Sequence, residues 1–238
     1  MNRWLVHREV PSPNWNERKL PDGQGVSMVV LHYTGMQTAA EALERMCDPA
    51  AEVSAHYMID EDGTVTRLVD EEKRAWHAGR SRWRGVTDIN SASIGIEMVN
   101  PGHEWGYRPF SDEQMEALVP LLADIVKRHN VPRANVVGHS DIAPARKADP
   151  GELFDWDLLA RLRLALPKPK LSMRLLYDNE GAFFLALERF GYDITDPEAA
   201  VRAFERRWRP HRITGQVDGQ LGALLFELLL ERDLGHAR

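Results

Sequence analysis

Met28-Val29-Val30-Leu31-His32-Tyr33-Thr34-Gly35 is the stretch from which the fold can be read. An uninterrupted apolar run of strand length that ends in polar and turn residues reads as a buried strand, here closed by a histidine. Comparable runs occupy 55–59, 64–68, 94–99 and 136–139, and Glu61-Asp62-Gly63 joins the second and third as a hairpin. Between the last two lies an amphipathic helix. Ser111 and Gln114 form its capping box, Met115, Leu118, Leu122, Ile125 and Val126 keep helical spacing, and Lys127, Arg128 and His129 fall at the negative end of its dipole. Asn130-Val131-Pro132 stops it, and a second helix is expected at 41–46 after the first strand. The order strand, helix, hairpin, strand, helix, strand predicts an α/β fold with a mixed central sheet flanked by helices.

Further along, Leu166-Pro167-Lys168-Pro169-Lys170 has the composition of a stiff, exposed connector, because alternating prolines forbid helix. The expected division is a first domain over 1–166, a Pro/Lys linker over 167–171, and a small all-α three-helix domain over 172–238. Its helices are predicted at 182–190, after the Asp196-Pro197 cap through Val201, Phe204 and Trp208, and after Asp218 through Leu221, Leu224, Leu225, Leu228 and Leu229.

The 238 residues are 43% hydrophobic and 28% charged, the profile of a globular chain. The net charge is −6, and the part after Pro167 holds 11 basic and 11 acidic residues, so the imbalance lies before it and no nucleic-acid-binding tail is expected. One cysteine, Cys47, excludes an internal disulfide and is expected to pack as a small apolar group. No stretch has the length and apolarity of a membrane span, and the N-terminus lacks a signal-peptide pattern. The expected location is therefore cytoplasmic; the alternative is periplasmic, if a signal has been removed.

Two histidines, His32 and His139, end two buried strands, and strand ends in one sheet lie side by side. Asp149, ten residues after His139, is close enough in sequence to return to the same point. Two neutral imidazoles and a carboxylate suit zinc and other divalent metals. Equally, the histidines can be hydrogen-bonded structural residues and Asp149 can start the Pro150-Gly151 turn. Glu97, inside the apolar run Ile94-Gly95-Ile96-Glu97-Met98-Val99, is either a buried carboxylate with a raised pKa, suited to act as a base, or a strand-edge residue facing solvent. Lys147 can place a cation beside a developing oxyanion or be a solvated loop lysine.

Val30-Leu31-His32-Tyr33-Thr34, Ser54-Ala55-His56-Tyr57, Ala75-Trp76-His77-Ala78-Gly79, Ile94-Gly95-Ile96-Glu97 and the long stretch from Gly138-His139-Ser140-Asp141 to Lys147-Ala148-Asp149-Pro150-Gly151 occur in one order. Over residues 25–165 this resembles the type-2 N-acetylmuramoyl-L-alanine amidases, relatives of phage amidases and animal peptidoglycan recognition proteins. The resemblance implies zinc on His32, His139 and Asp149, water activation by Glu97 and oxyanion stabilisation by Lys147. It implies peptidoglycan fragments or muropeptides as the partner, and cleavage between the lactyl group and L-alanine in wall turnover or muropeptide recycling. A recognition module that binds muropeptides without cutting them is the alternative.

Tyr57 matches a position where some relatives carry a catalytic tyrosine; on an alternating strand only one of His56 and Tyr57 can face the site, and Tyr57 is the expected one. Trp76 and His77 lie in a motif that resembles a substrate-groove wall; Trp76 can instead pack in the core, and His77 can instead support a ligand from behind or be structural. The tail resembles a peptidoglycan-binding domain through Ala186-Leu187-Glu188-Arg189-Phe190-Gly191-Tyr192, Ala203-Phe204-Glu205-Arg206-Arg207-Trp208 and Val217-Asp218-Gly219. Arg206-Arg207-Trp208-Arg209 departs from that pattern, which opens a structural role or a dimer through the C-terminal helices.

Overall fold

The computed structural model describes residues 5–170 and 179–235, with side chains through 233. The end of the expected linker, at 171, and the start of the helical module, 172–178, lie outside the described residues.

The elements run β1 (Arg8–Glu9), β2 (Trp15–Glu17), β3 (Met28–Tyr33), α1 (Ala39–Cys47), β4 (Tyr57–Ile59), β5 (Val65–Arg67), β6 (Lys73–Ala75), α2 (Ile89–Ala92), β7 (Ser93–Met98), α3 (Gly102–Trp105), α4 (Asp112–His129), β8 (Val136–Gly138), α5 (His139–Ile142) and α6 (Trp156–Arg161). Among the described residues three helices follow the connector: α7 (Glu180–Phe190), α8 (Pro197–Trp208) and α9 (Gly219–Gly235). All five expected strands form. Three short ones, β1, β2 and β6, carry no periodicity in the sequence and were not expected; β2 pairs with β6 as a separate antiparallel ribbon.

Six strands make the central sheet in the order β1-β5-β4-β7-β3-β8. Only the β4–β5 hairpin is antiparallel, so the sheet is mixed as its order of elements predicts. The run 28–33 is the last strand but one, paired on one side with β7 and on the other with the edge strand β8. Its alternate residues serve two cores. Val29 and Leu31 join Tyr57, Ile94, Ile96 and the α4 residues Leu118, Leu122 and Ile125 on one face. Met28 and Val30 join Val137, Trp83 and Ile142 on the other. The Ser111–Gln114 capping box starts α4, and Asn130 ends it in the left-handed conformation. Cys47 is half-buried beside the small cluster of Ala42, Met46 and Met58, as expected of a small apolar residue.

The C-terminal helices are continuous with the second of these cores. Phe183, Leu187, Phe190, Tyr192, Phe204, Trp208, Leu224 and Leu228 belong to the same buried cluster as Met28, Val30 and Val137. Trp83 meets Phe190 and Tyr192 edge-on, with ring centroids 6.1 and 5.2 Å apart. The arginines that depart from the glycan-binding pattern are used within the chain. Arg207 reaches Asp141 and the Val136 carbonyl, Arg209 reaches Glu205 and Asp218, and Arg206 lies 3.4 Å from Glu152. Arg207 thus fastens the helices to the sheet, Arg206 reaches the loop at Glu152, and Arg209 ties α8 to the start of α9.

Candidate functional site

His32 is the last residue but one of β3, Glu97 is its register partner on β7, and His139 follows Gly138, which lies level with Leu31. Three chemically active side chains therefore stand in one row at the carboxyl ends of three neighbouring parallel strands, where ligands of open α/β sheets bind. Asp149 returns to this row because the loop after α5 folds back on β8. The Ser140 amide donates to the Asp149 carbonyl at 2.8 Å, and the Tyr107 hydroxyl donates to the Pro150 carbonyl at 2.8 Å. Gly138 is required for that approach, since a Cβ there would stand 2.6 Å from Pro150 Cδ.

His32 Nδ1, His139 Nδ1 and Asp149 Oδ2 form a buried triangle with sides of 2.9, 3.0 and 3.0 Å. Among the described residues this is the one cluster of histidine, cysteine and carboxylate atoms placed to hold a metal ion. The chemistry of the triangle fits a cation. The carboxylate cannot donate, and His139 has committed its proton on Nε2 to the Ala78 carbonyl at 3.0 Å, so its Nδ1 offers a lone pair. At most one proton is then available to three acceptors facing one another. Donors bound at about 2.0–2.1 Å to a single tetrahedral ion stand roughly 3.3 Å apart, close to what is seen. Burial, together with His139, lowers the His32 pKa to about 4. Burial pushes the Asp149 carboxyl up, but His139 and His32 outweigh it and hold the group well below the usual carboxylate range.

Above the triangle is a cavity of about 170 Å³ lined by His139, Asp149, Glu97, Lys147 and, on its far side, residues of α1 and the loop after β3. Glu97 Oε2 is shielded and has no hydrogen-bond partner among the described residues. Burial and the Asp149 charge raise the Glu97 pKa well above its ordinary value, with Lys147 pulling the other way. The solvent-edge reading of Glu97 is thereby set aside. Lys147 sits at the exposed mouth of the same cavity.

Three expected site residues are placed differently. Tyr57 pairs with Ile96 in the β4–β7 register, whereas Met58 pairs with Glu97, so Tyr57 points to the face opposite the triangle. Its hydroxyl donates to Glu71 at 2.6 Å in an ion cluster with Arg128 and His129. Trp76 does not line the cavity; its indole donates to Asn16 at 3.2 Å. His77 touches the cavity with a ring that is only 5% exposed, and both its nitrogens face protein partners, His32 Nε2 at 3.0 Å and Ser93 Oγ at 3.2 Å. It has no polar atom left for a substrate. The sequence signal for its true place was Gly95: a Cβ there would lie 2.4 Å from the His77 ring, so the ring lies directly over β7.

His56 takes the inward face that Tyr57 does not. The Gly95 amide donates to its Nδ1 at 2.9 Å, and burial first, with the nearby Arg18 charge, lowers its pKa to about 3. A histidine with a depressed folded pKa contributes stability above its unfolded pKa, near 6.5, that is lost as pH falls below it. At pH 5 the unfolded ring is charged and the folded one is not, a difference of about 2 kcal/mol. The thermal midpoint should fall from pH 7 to pH 5, and His56→Gln should flatten part of that fall.

Residues 22–152 match the family model described as N-acetylmuramoyl-L-alanine amidase. The chain is 34% identical to the N-acetylmuramoyl-L-alanine amidase AmiD of Escherichia coli (strain K12), over 87% of this chain and 83% of that protein. It is 33% identical to the 1,6-anhydro-N-acetylmuramyl-L-alanine amidase AmpD of Haemophilus influenzae, over 63% of this chain and 88% of that one. Its structure superposes on E. coli AmiD in complex with anhydro-N-acetylmuramic acid-L-Ala-D-gamma-Glu-L-Lys with a TM-score of 0.79 and 30% identity, covering 92% of this chain and 98% of the other. AmpDh3 of Pseudomonas aeruginosa matches with a TM-score of 0.78, 28% identity, and coverage of 92% and 98%. Coverage of 92% exceeds what the residues before the connector can supply, so these likenesses include the C-terminal helices. With a family model spanning more than half its length, and with His32, Glu97 and His139 at the carboxyl ends of neighbouring strands and Asp149 folded back beside them, the chain belongs to the N-acetylmuramoyl-L-alanine amidase family.

Proposed function

We propose that this chain hydrolyses the amide bond between the lactyl group of N-acetylmuramic acid, in its ordinary or anhydro form, and the L-alanine of a peptidoglycan stem peptide, with zinc held by His32, His139 and Asp149. The observation that carries this reading is the buried triangle of acceptor atoms, with Glu97 and Lys147 lining the cavity above it. Zinc, when bound, would supply Lewis acidity toward the amide carbonyl and toward water. Glu97 takes a proton from the attacking water on its unpartnered carboxylate and delivers it to the alanine nitrogen; a raised pKa suits a group that must hold that proton between the two steps. Lys147 places its ammonium by the carbonyl oxygen as negative charge develops there. Water adds to the carbonyl carbon, the carbon–nitrogen bond breaks, and the products are a lactyl carboxylate and a peptide with a free amino terminus.

The anhydro form is supported by AmiD bound to an anhydro-muramyl peptide and by the name of the AmpD relatives. Hydrolysis of a defined anhydro-muropeptide in water enriched with oxygen-18 tests the bond assignment. One heavy oxygen should appear in the anhydromuramic acid and none in the released peptide. Label in a peptide fragment, with the sugar still bearing alanine, would show a peptidase acting within the stem; binding without cleavage would show a recognition module.

A further inference from the structure

We propose that His77 and Ala78 form a bracket that fixes which ring nitrogen each metal-binding histidine presents, His77 acting on His32 through its side chain and Ala78 acting on His139 through its carbonyl. The inference rests on the reading of His32 and His139 as metal ligands.

The Ser93 hydroxyl donates to the Ile89 carbonyl at 2.6 Å, so its single hydrogen is spent. Toward His77 Nε2, at 3.2 Å, the Ser93 oxygen can therefore only accept, which puts the His77 proton on Nε2. In a neutral, buried ring the other nitrogen, Nδ1, then has a lone pair, and it faces His32 Nε2 at 3.0 Å. His32 must donate there. Its own Nδ1, the corner of the metal triangle, is left bare, so no hydrogen occupies the centre that a cation would take. On the other side the Ala78 carbonyl does the same for His139.

The bracket is itself held. Asn90 Oδ1 accepts from the His77 amide at 3.1 Å and from the Ala78 amide at 2.8 Å, and Arg146 Nη2 donates to the Ala78 carbonyl at 2.9 Å. Gly95 leaves the space over β7 in which the His77 ring lies. The chain Ile89–Ser93–His77–His32 thus transmits a donor direction through four residues to the atom that meets the metal. His77 and Ser93 are positioning residues; both ring nitrogens of the one and the hydroxyl of the other are committed within the protein.

The test uses the full-length protein, metal-free and zinc-titrated, as wild type, His77→Ala, His77→Asn and Ser93→Ala. Long-range nitrogen–proton NMR on the metal-free protein reads the His32 tautomer, and competition with a chelator reads zinc affinity. Wild-type His32 and His139 should both carry their proton on Nε2. Ser93→Ala frees the His77 tautomer, so His32 should show protonation on Nδ1, and zinc affinity should fall about 10- to 100-fold. His77→Ala should lose a similar factor, and His77→Asn, whose side-chain oxygen can stand in for Nδ1, should recover most of it. Unchanged affinity in both Ser93→Ala and His77→Ala would overturn the bracket. Affinity lost with His32 still protonated on Nε2 would make the pair merely structural and also overturn it. A wild type that binds no zinc would sink the metal reading instead, while its His32 tautomer would still decide the relay.

Discussion

Glu97→Gln should lower kcat for amide hydrolysis by about 10²- to 10⁴-fold, the usual contribution of a positioned general base, while zinc content and folding stay as in wild type. The substitution keeps the shape of the side chain and removes only its ability to take a proton. Glu97 is not one of the three triangle residues, so a loss of metal along with activity would contradict the role assigned to it. The pH dependence gives the sign. Burial and the Asp149 charge raise the Glu97 pKa, and Lys147 opposes them. The base form grows as pH rises, so the rate should climb through that pKa on its acid limb. Lys147→Ala removes the opposing charge and should move the limb to higher pH, besides lowering kcat by about 10²- to 10³-fold through the oxyanion.

Arg207→Ala should destabilise the whole chain by about 3–5 kcal/mol, because it leaves a buried carboxylate without its partner. Asp141 and Arg207 have side chains 1% and 5% exposed and meet at 2.7 Å. Asp141 also accepts from the Tyr192 hydroxyl at 2.5 Å and from the Gly138 amide at 2.8 Å. One carboxylate therefore ties the C-terminal helices to the residue just before His139. At roughly 2–4 °C per kcal/mol for a chain of this size, the thermal midpoint should drop by about 10 °C. The double variant Asp141→Asn with Arg207→Met should recover part of the loss, since it removes both charges together. A midpoint within a degree of wild type for Arg207→Ala would mean that the helices are fastened by their apolar contacts alone.

These two residues also mark what the sequence could and could not reveal. His32, Glu97 and His139 were legible because strands end in rows: three apolar runs, each closing on or near an ionisable residue, converge whenever they are neighbours in a parallel sheet. Tyr57 was misplaced because alternation says only that His56 and Tyr57 differ in facing. The register that pairs Tyr57 with Ile96 and Met58 with Glu97 decides it, and register depends on partners elsewhere in the chain. The sequence leaves His77 open between groove wall and supporting group for a related reason, since the choice rests on a glycine in β7 and a serine whose hydrogen is already spent. The arginine segment departs from the glycan-binding pattern because Arg207 serves a partner that sequence spacing does not show, Asp141, 66 residues away. Short strands such as β2, exposed at all three positions, offered no hydrophobic pattern to read.

The central claim, that His32, His139 and Asp149 hold one zinc ion needed to cut the lactyl-alanine amide, is tested most directly by following peptide release from a defined anhydro-muropeptide while metal-free protein is titrated with zinc. The account predicts a rate that rises with zinc, breaks at one equivalent and stays at background throughout the same titration of His139→Ala. Peptide release at full rate without zinc, or unchanged in His139→Ala, would contradict it.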